Sequence, residues 1–383
     1  MRDLLVALER RGRRPLPVPP ARERTMDALL ADLEALSQHL QRHPFAELRF
    51  GIDDISNFVL VQQRAGVVLG HRYPGQFDDH VFAGADGERI AATIALQEAA
   101  RPGLIVVHGL FTSSRFDYVR QIAVRAYYEW GFNVAVIDLR SFGMTELTTP
   151  APSTAGWKEG QDLVALAGYL RGLGATSVGA LGISLGGSSV LNACHHADAA
   201  EVLDGGILAV SPPAVPKDVW ARLSEPVPRR HPRYPIHAAF RVALISRIRS
   251  GRWPAEAEDM ARVLEHVAAP YYGISAEQIW ANACGRDHVA DAKVPLLVLH
   301  PSDDHIVKVD QARLLADAAR GNDNVRVWIL PAGAHGLLET ADADWTQAVY
   351  RGFFERWASF AERPALGPGD AGAEVVYSAV ETG

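Results

Sequence analysis

The spacing of apolar residues changes character along the chain. Met26, Leu29, Leu30, Leu33, Leu36 and Leu40 recur every three or four positions, which predicts an amphipathic helix with one buried stripe. Nothing in the sequence says what that stripe packs against. Before it, residues 11–24 are dense in Arg and Pro and read as a flexible leader, because they carry too little apolar surface to offset the entropy of ordering. Residues 44–80 mix short apolar runs with turn residues and yield no assignment. From about residue 81, Ala83–Gly87 reads as a turn and Arg89–Leu96 as the second strand of a hairpin. Strand-length apolar runs then alternate with helix-length segments: Leu104–Val107, Asn133–Ile137, Ser177–Leu181, Gly206–Val210, Pro295–Leu299 and Val325–Leu330. This alternation predicts an α/β fold, a mostly parallel sheet flanked by helices.

The alternation lapses between Ser211 and about Lys293, where helical patterns run without a strand of comparable strength. We expect an inserted helical cap over about 212–292. Within it Ile236, Phe240, Leu244 and Ile248 repeat every four residues, a stripe that can face either an active site or the cap's own core. Trp345–Phe360 reads as the last helix, and the Gly/Pro/Ala-rich residues 363–383 as a disordered tail. The expected organisation is an N-terminal extension over 1–80, an α/β domain over 81–362 that carries the insertion, and the tail.

Composition narrows the function classes. The 383 residues are 48% hydrophobic and 22% charged, ordinary for a globular protein with a large core. A formal charge of -7 offers no global attraction to nucleic acid or anionic membranes, so no nucleic-acid partner is expected. Cys194 and Cys284 are the two cysteines; they allow one disulfide at most and form no zinc-site spacing, so no metal is expected and a reducing compartment fits. The apolar run Leu4–Leu8 is cut by Glu9 and is too short for a signal-peptide core, and no stretch reaches the roughly 20 apolar residues of a membrane span. We therefore expect a cytoplasmic protein with no transmembrane segment; a homo-oligomer stays open.

Chemistry concentrates in four places. Gly182-Ile183-Ser184-Leu185-Gly186-Gly187 follows one strand-like run and opens a helical pattern. A serine on such a strand-turn-helix corner is exposed as a nucleophile, and glycines on either side tolerate the close backbone approach. His108-Gly109-Leu110 follows Leu104–Val107. Acyl transfer needs two N–H donors aimed at the oxyanion, and Leu110 and Leu185 are the candidates through their backbone groups, with His108 stabilising the loop. A base and an orienting acid must complete the set. Asp303 and Asp304 both follow the strand Pro295–Leu299, and His335 follows Val325–Leu330, beyond the strand ends where catalytic loops gather. The adjacent His195-His196 cannot both face one metal and read as a packed or solvated pair, and Cys194 as a buried small hydrophobe. The many arginines of the insertion (222, 229, 230, 233, 241, 247, 249 and 252) read by default as a solvated face, with attraction of an anionic acyl carrier or lipid headgroup as the alternative.

Residues 81–362 resemble the α/β-hydrolase superfamily. Within it they look most like the YheT-like, or embryogenesis-associated, hydrolases, on His108-Gly109-Leu110 with Ser113-Ser114, Ser211-Pro212-Pro213, Pro270-Tyr271-Tyr272-Gly273 and Val294-Pro295. Two positions depart from that branch. Ala334 stands before His335 where the branch favours Gly, and Ser141-Phe142 interrupt the Gly-rich turn after Asp138-Leu139-Arg140. The resemblance implies Ser184 as nucleophile, His335 as base, Leu110 and Leu185 as oxyanion donors, with His108, Gly109, Gly182 and Gly186 in support. It implies Asp304 rather than Asp303 as acid, because Asp304-His305-Ile306-Val307 matches the family's Asp-x-x-Val. The implied activity is cofactor-free cleavage of a carboxylic ester of a small acyl substrate through an acyl-enzyme. Thioester hydrolysis or acyl transfer by the same triad, or a binding protein without catalysis, are its rivals.

Overall fold

A computed structural model describes residues 24–45, 72–196, 198–230, 234–336 and 338–359. The expected leader, apart from Arg24, and the expected tail lie outside the described residues, as does most of 44–80. The elements run α1 (Met26–Arg42), β1 (Asp78–Ala83), β2 (Arg89–Ala95), β3 (Gly103–Val107), α2 (Asp117–Tyr128), β4 (Asn133–Ile137), α3 (Trp157–Gly172), β5 (Val178–Ile183) and α4 (Leu185–Ala193). After these come β6 (Ile207–Val210), α5 (Pro216–Ser224), α6 (Tyr234–Arg249), α7 (Ala276–Asn282), β7 (Leu296–Pro301), α8 (Val309–Ala318), β8 (Val325–Leu330) and α9 (Ala343–Trp357).

The eight strands form one sheet in the order β1-β2-β4-β3-β5-β6-β7-β8. β2 pairs antiparallel with both β1 and β4, and every other pairing is parallel. The central strands β3 to β7 are buried along their length, as a sheet covered by helices on both faces requires, and their near-continuous Val, Ile and Leu content follows from that. Register aligns the strand ends that matter: Val107 opposes Gly182, Val210 opposes Leu299, and Pro301 opposes Leu330. The loops leaving β3, β5, β7 and β8 therefore open at one edge of the sheet.

The strands Asn133–Ile137 and Val325–Leu330 fall where their apolar runs predict. β1 begins at Asp78 rather than near 81; its first residues are polar and exposed on this edge strand, so alternation is invisible there. The last helix starts at Ala343, not Trp345, because Asp342 caps it by accepting from the Trp345 N–H at 3.0 Å, and it ends at Trp357. In α1 the stripe Met26, Leu29, Leu33, Leu36 and Leu40 is buried in the same apolar cluster as Trp345, Val349 and Phe353 of α9, while Leu30 points outward. Each buried apolar side chain of this kind is worth roughly 1.5–3 kcal/mol relative to exposure, enough to seat the helix. Trp345 Nε1–H donates to the Leu36 carbonyl at 3.2 Å, and Arg356 pairs with Asp32.

Among the described residues, the segment between β6 and β7 contains helices and turns but no strand. In α6, Leu244 is buried in the cluster shared with the sheet, Phe240 and Ile248 pack at its margin, and the side chain of Ile236 lies outside the described residues.

Candidate active site

The corner after β5 shows why glycines surround Ser184. A Cβ on Gly182 would sit 2.1 Å from the Gly186 carbonyl oxygen, and one on Gly186 would sit 2.4 Å from the Val107 carbonyl oxygen. Neither side chain fits. Ser184 itself has φ 59 and ψ -116, a region that costs a non-glycine residue of order 1–3 kcal/mol and recurs at functional sites. Its N–H donates to Val210 O at 2.9 Å, which ties the corner to β6. α4 begins at Leu185, so the Leu185 N–H is among the first-turn groups that an α-helix leaves without an internal acceptor.

The structure brings Ser184, His335 and Asp304 together. His335 Nε2 lies 2.9 Å from Ser184 Oγ, and His335 Nδ1 lies 2.8 Å from Asp304 Oδ2. A carboxylate only accepts, so Nδ1–H donates to Asp304 and Nε2 is left to accept from the serine hydroxyl. The other oxygen, Asp304 Oδ1, accepts from the Ile306 and Val307 N–H groups, each at 2.9 Å. Burial alone would push the Asp304 carboxyl up, but the charge and hydrogen bond of His335, with His300, outweigh it and hold the carboxyl below its ordinary value. It stays ionised.

Asp303, the other acid considered, points elsewhere: its Oδ1 accepts from the Ala334 N–H at 2.9 Å and so shapes the loop before His335. Ala334 has φ 51, the left-handed region that suits glycine, which accounts for the Gly favoured at this position. Ser141, at the second departure, likewise has φ 70.

The loop after β3 lies against Ser184, since a Cβ on Gly109 would come within 3.3 Å of Ser184 Cβ. His108 is fully buried. Its Nε2 accepts from the Leu139 N–H at 3.0 Å, so its proton is on Nδ1, which donates to Gly109 O at 2.7 Å. Burial lowers its pKa, with Asp138 opposing in part, and the ring is a neutral strut rather than a base. The Gly109 N–H donates to the buried Tyr118 hydroxyl at 2.8 Å and is thereby occupied, leaving Leu110 as the next N–H in the loop.

Two contributors escaped the sequence reading. Tyr118 is one apolar-face residue of an amphipathic helix, and nothing local marks it. His300 is buried in β7, donates from Nε2 to Val307 O at 2.8 Å and stands 3.8 Å from Asp304 Oδ2. His305 forms no link to Ser184; burial lowers its pKa, and its carbonyl accepts from Arg222 at 3.4 Å. His195 stacks on His288 with ring centroids 3.9 Å apart, and Cys194 and Cys284 are buried thiols. Among the described residues no group of three or more His, Cys, Asp or Glu is placed to hold a metal ion, and no helix is long and apolar enough to cross a membrane.

As arranged, the serine hydroxyl can pass its proton to His335 while Asp304 steadies the imidazolium, with backbone N–H groups nearby for developing negative charge. Solved structures that share the fold include an esterase from Pyrococcus furiosus, at 16% identity and a TM-score of 0.54, covering 82% of this chain and 98% of that one. A puromycin-hydrolysing peptidase from Mycobacterium tuberculosis matches at 17% identity and a TM-score of 0.50, over 75% of this chain and 40% of its own. No curated protein matches the chain. Residues 104–348, from β3 into α9 and well over half of the chain, match the alpha/beta hydrolase family, and with the eight-stranded sheet they show that the protein belongs to that family of hydrolases.

Proposed function

We propose that the protein cleaves carboxylic esters through an acyl-enzyme on Ser184. The observation that carries this reading is the unbroken relay from Ser184 Oγ through His335 to Asp304, at 2.9 and 2.8 Å, on a strained corner. As Ser184 Oγ attacks the ester carbonyl, its proton passes to His335 Nε2. The oxyanion lies against the Leu110 and Leu185 N–H groups. Collapse expels the alcohol, which takes the proton from His335; water then attacks the acyl-enzyme with His335 again as base. None of these steps calls on a cofactor. We further propose that the helical segment over about 212–292 is a cap that shapes the acyl pocket, and that the chain lies nearest the YheT-like branch on the motifs given above.

The test is labelling by a fluorophosphonate probe and turnover of p-nitrophenyl esters of graded chain length, with Ser184→Ala as control. Labelling and turnover that both vanish in Ser184→Ala, with an unchanged melting temperature, are expected. A labelled Ser184→Ala, or a wild type that neither labels nor turns over any ester, defeats the reading. Parallel thioester substrates and added alcohol acceptors would reveal thioesterase or acyltransferase preference.

A further inference from the structure

Residues 226–253 hold seven arginines and no acidic residue. Arg229, Arg230, Arg241, Arg249 and Arg252 are exposed, as a solvated face predicts, but Arg247 is not. Its guanidinium carbon lies 5.1 Å from the centre of the Phe111 ring, 5.2 Å from that of Trp253 and 5.5 Å from that of Phe142. Nη2 donates to the Ser141 carbonyl at 3.0 Å, and Nε stands 3.2 Å from Glu146 Oε1. Burial disfavours the charge, and Glu146 opposes that.

Two of these contacts fall on strained backbone. Phe111 has φ 56 and Ser141 has φ 70, conformations that persist in non-glycine residues only where the surroundings over-determine them. Phe111 also directly follows Leu110, the proposed oxyanion donor. On the other side of Leu110, Gly109 is pinned by Tyr118 and His108, both from the sheet domain. Phe111 is held from both sides: the Phe142 ring of the sheet domain meets it edge-on at 5.7 Å, while α6 contributes Arg247 and the Phe240 ring at 5.4 Å.

We propose that Arg247 is a positioning residue: seated on Phe111, it holds the oxyanion loop in its donating conformation, so that docking of α6 and assembly of the oxyanion site are coupled. This rests on the serine-hydrolase reading above. A cation over an aromatic face in a desolvated site is a strong enough contact to bias a loop, and loss of one oxyanion donor alone lowers kcat about 10²- to 10³-fold.

The experiment measures p-nitrophenyl butyrate kinetics and inhibition by an aryl trifluoromethyl ketone. Ser184 Oγ adds to the ketone carbonyl, its proton passes to His335, and the resulting oxyanion needs the same donors as the transition state. Arg247→Met should lower kcat by about 10- to 100-fold and weaken the ketone by a similar factor, with KM within about twofold, the signature of an interaction made in the transition state. Arg247→Lys, which keeps the charge, should recover part of both losses, and Ile245→Ala on the exposed face of α6 should match wild type. Wild-type kcat and ketone affinity in Arg247→Met, with only a lower melting temperature, would overturn the proposal. If Arg247→Met does not fold, Arg247→Lys and Phe111→Leu decide it: both must lose kcat and ketone affinity together, and a loss confined to stability refutes it. A wild type that neither binds the ketone nor labels with fluorophosphonate removes the serine-hydrolase reading, and this proposal with it.

Discussion

Asp304→Asn should disable the relay by forcing a tautomer, and the structure says why the new amide cannot escape this. Asp304 Oδ1 accepts from two backbone N–H groups, Ile306 and Val307, while Oδ2 accepts from His335 Nδ1–H. The asparagine has one acceptor oxygen to offer. Turning its NH2 toward the backbone would leave two buried N–H groups facing a donor, at about 1–3 kcal/mol each, or roughly 2–6 kcal/mol in total. The oxygen therefore stays on the backbone pair and the NH2 faces His335. Nδ1 must then become an acceptor, the ring proton moves to Nε2, and Nε2 can no longer take the Ser184 proton. The same exchange in a serine-protease triad lowers kcat about 10⁴-fold, which corresponds to roughly 5 kcal/mol of barrier. Asp303→Asn should cost little, because an amide oxygen can still accept from the Ala334 N–H. The assay is kcat on a p-nitrophenyl ester for both variants, with melting temperatures to show that each is folded. An Asp304→Asn enzyme within tenfold of wild type, or an Asp303→Asn enzyme that is the worse of the two, would refute the reasoning.

Two further outcomes follow from the packing. Burial pushes the Glu339 carboxyl up from its ordinary value of 4.5 to about 7, Arg125 and Gln347 lowering it only in part, and Oε2 has no hydrogen-bond partner among the described residues. A raised acid favours the fold while protonated, so stability is complete below 4.5 and falls as pH rises to about 7. Glu339→Gln should remove that slope and stabilise the protein at pH 8 by up to about 3 kcal/mol, read from urea unfolding at pH 5 and 8; equal slopes in both proteins would contradict it. Leu244→Ala should lower stability by about 2–5 kcal/mol and scale kcat/KM alike for short and long esters, because Leu244 is buried in the core while Phe240 is the member of its stripe whose ring meets Phe111. A shifted chain-length preference would return Leu244 to the acyl pocket.

The sequence by itself determined the parts of this protein whose cause is local. A strand buried on both faces must be a short apolar run, so β3 to β7 were legible, the half-exposed edge strand β8 kept enough apolar residues to be read with them, and the polar and Gly-rich residues just after those runs had to be loops at the strand ends. That is enough to bring Ser184, His335 and the Asp303-Asp304 pair to one edge, and Gly182 and Gly186 could be read because no Cβ fits there. Tertiary structure decided whatever depends on direction or on distant partners. Asp303 and Asp304 are neighbours in one turn, and only the positions of the Ile306, Val307 and Ala334 N–H groups separate the carboxyl facing His335 from the one shaping its loop. The stripe of α1 announced burial, but its partner α9 lies some 300 residues along the chain. Tyr118 and His300 sit in an ordinary helix and strand, where no spacing distinguishes a support from a core residue. Arg247 is one of several arginines with the same local pattern, and only Phe111, Phe142 and Trp253, from the sheet-edge loops and the turn beyond α6, make it a partly buried cation among aromatic rings.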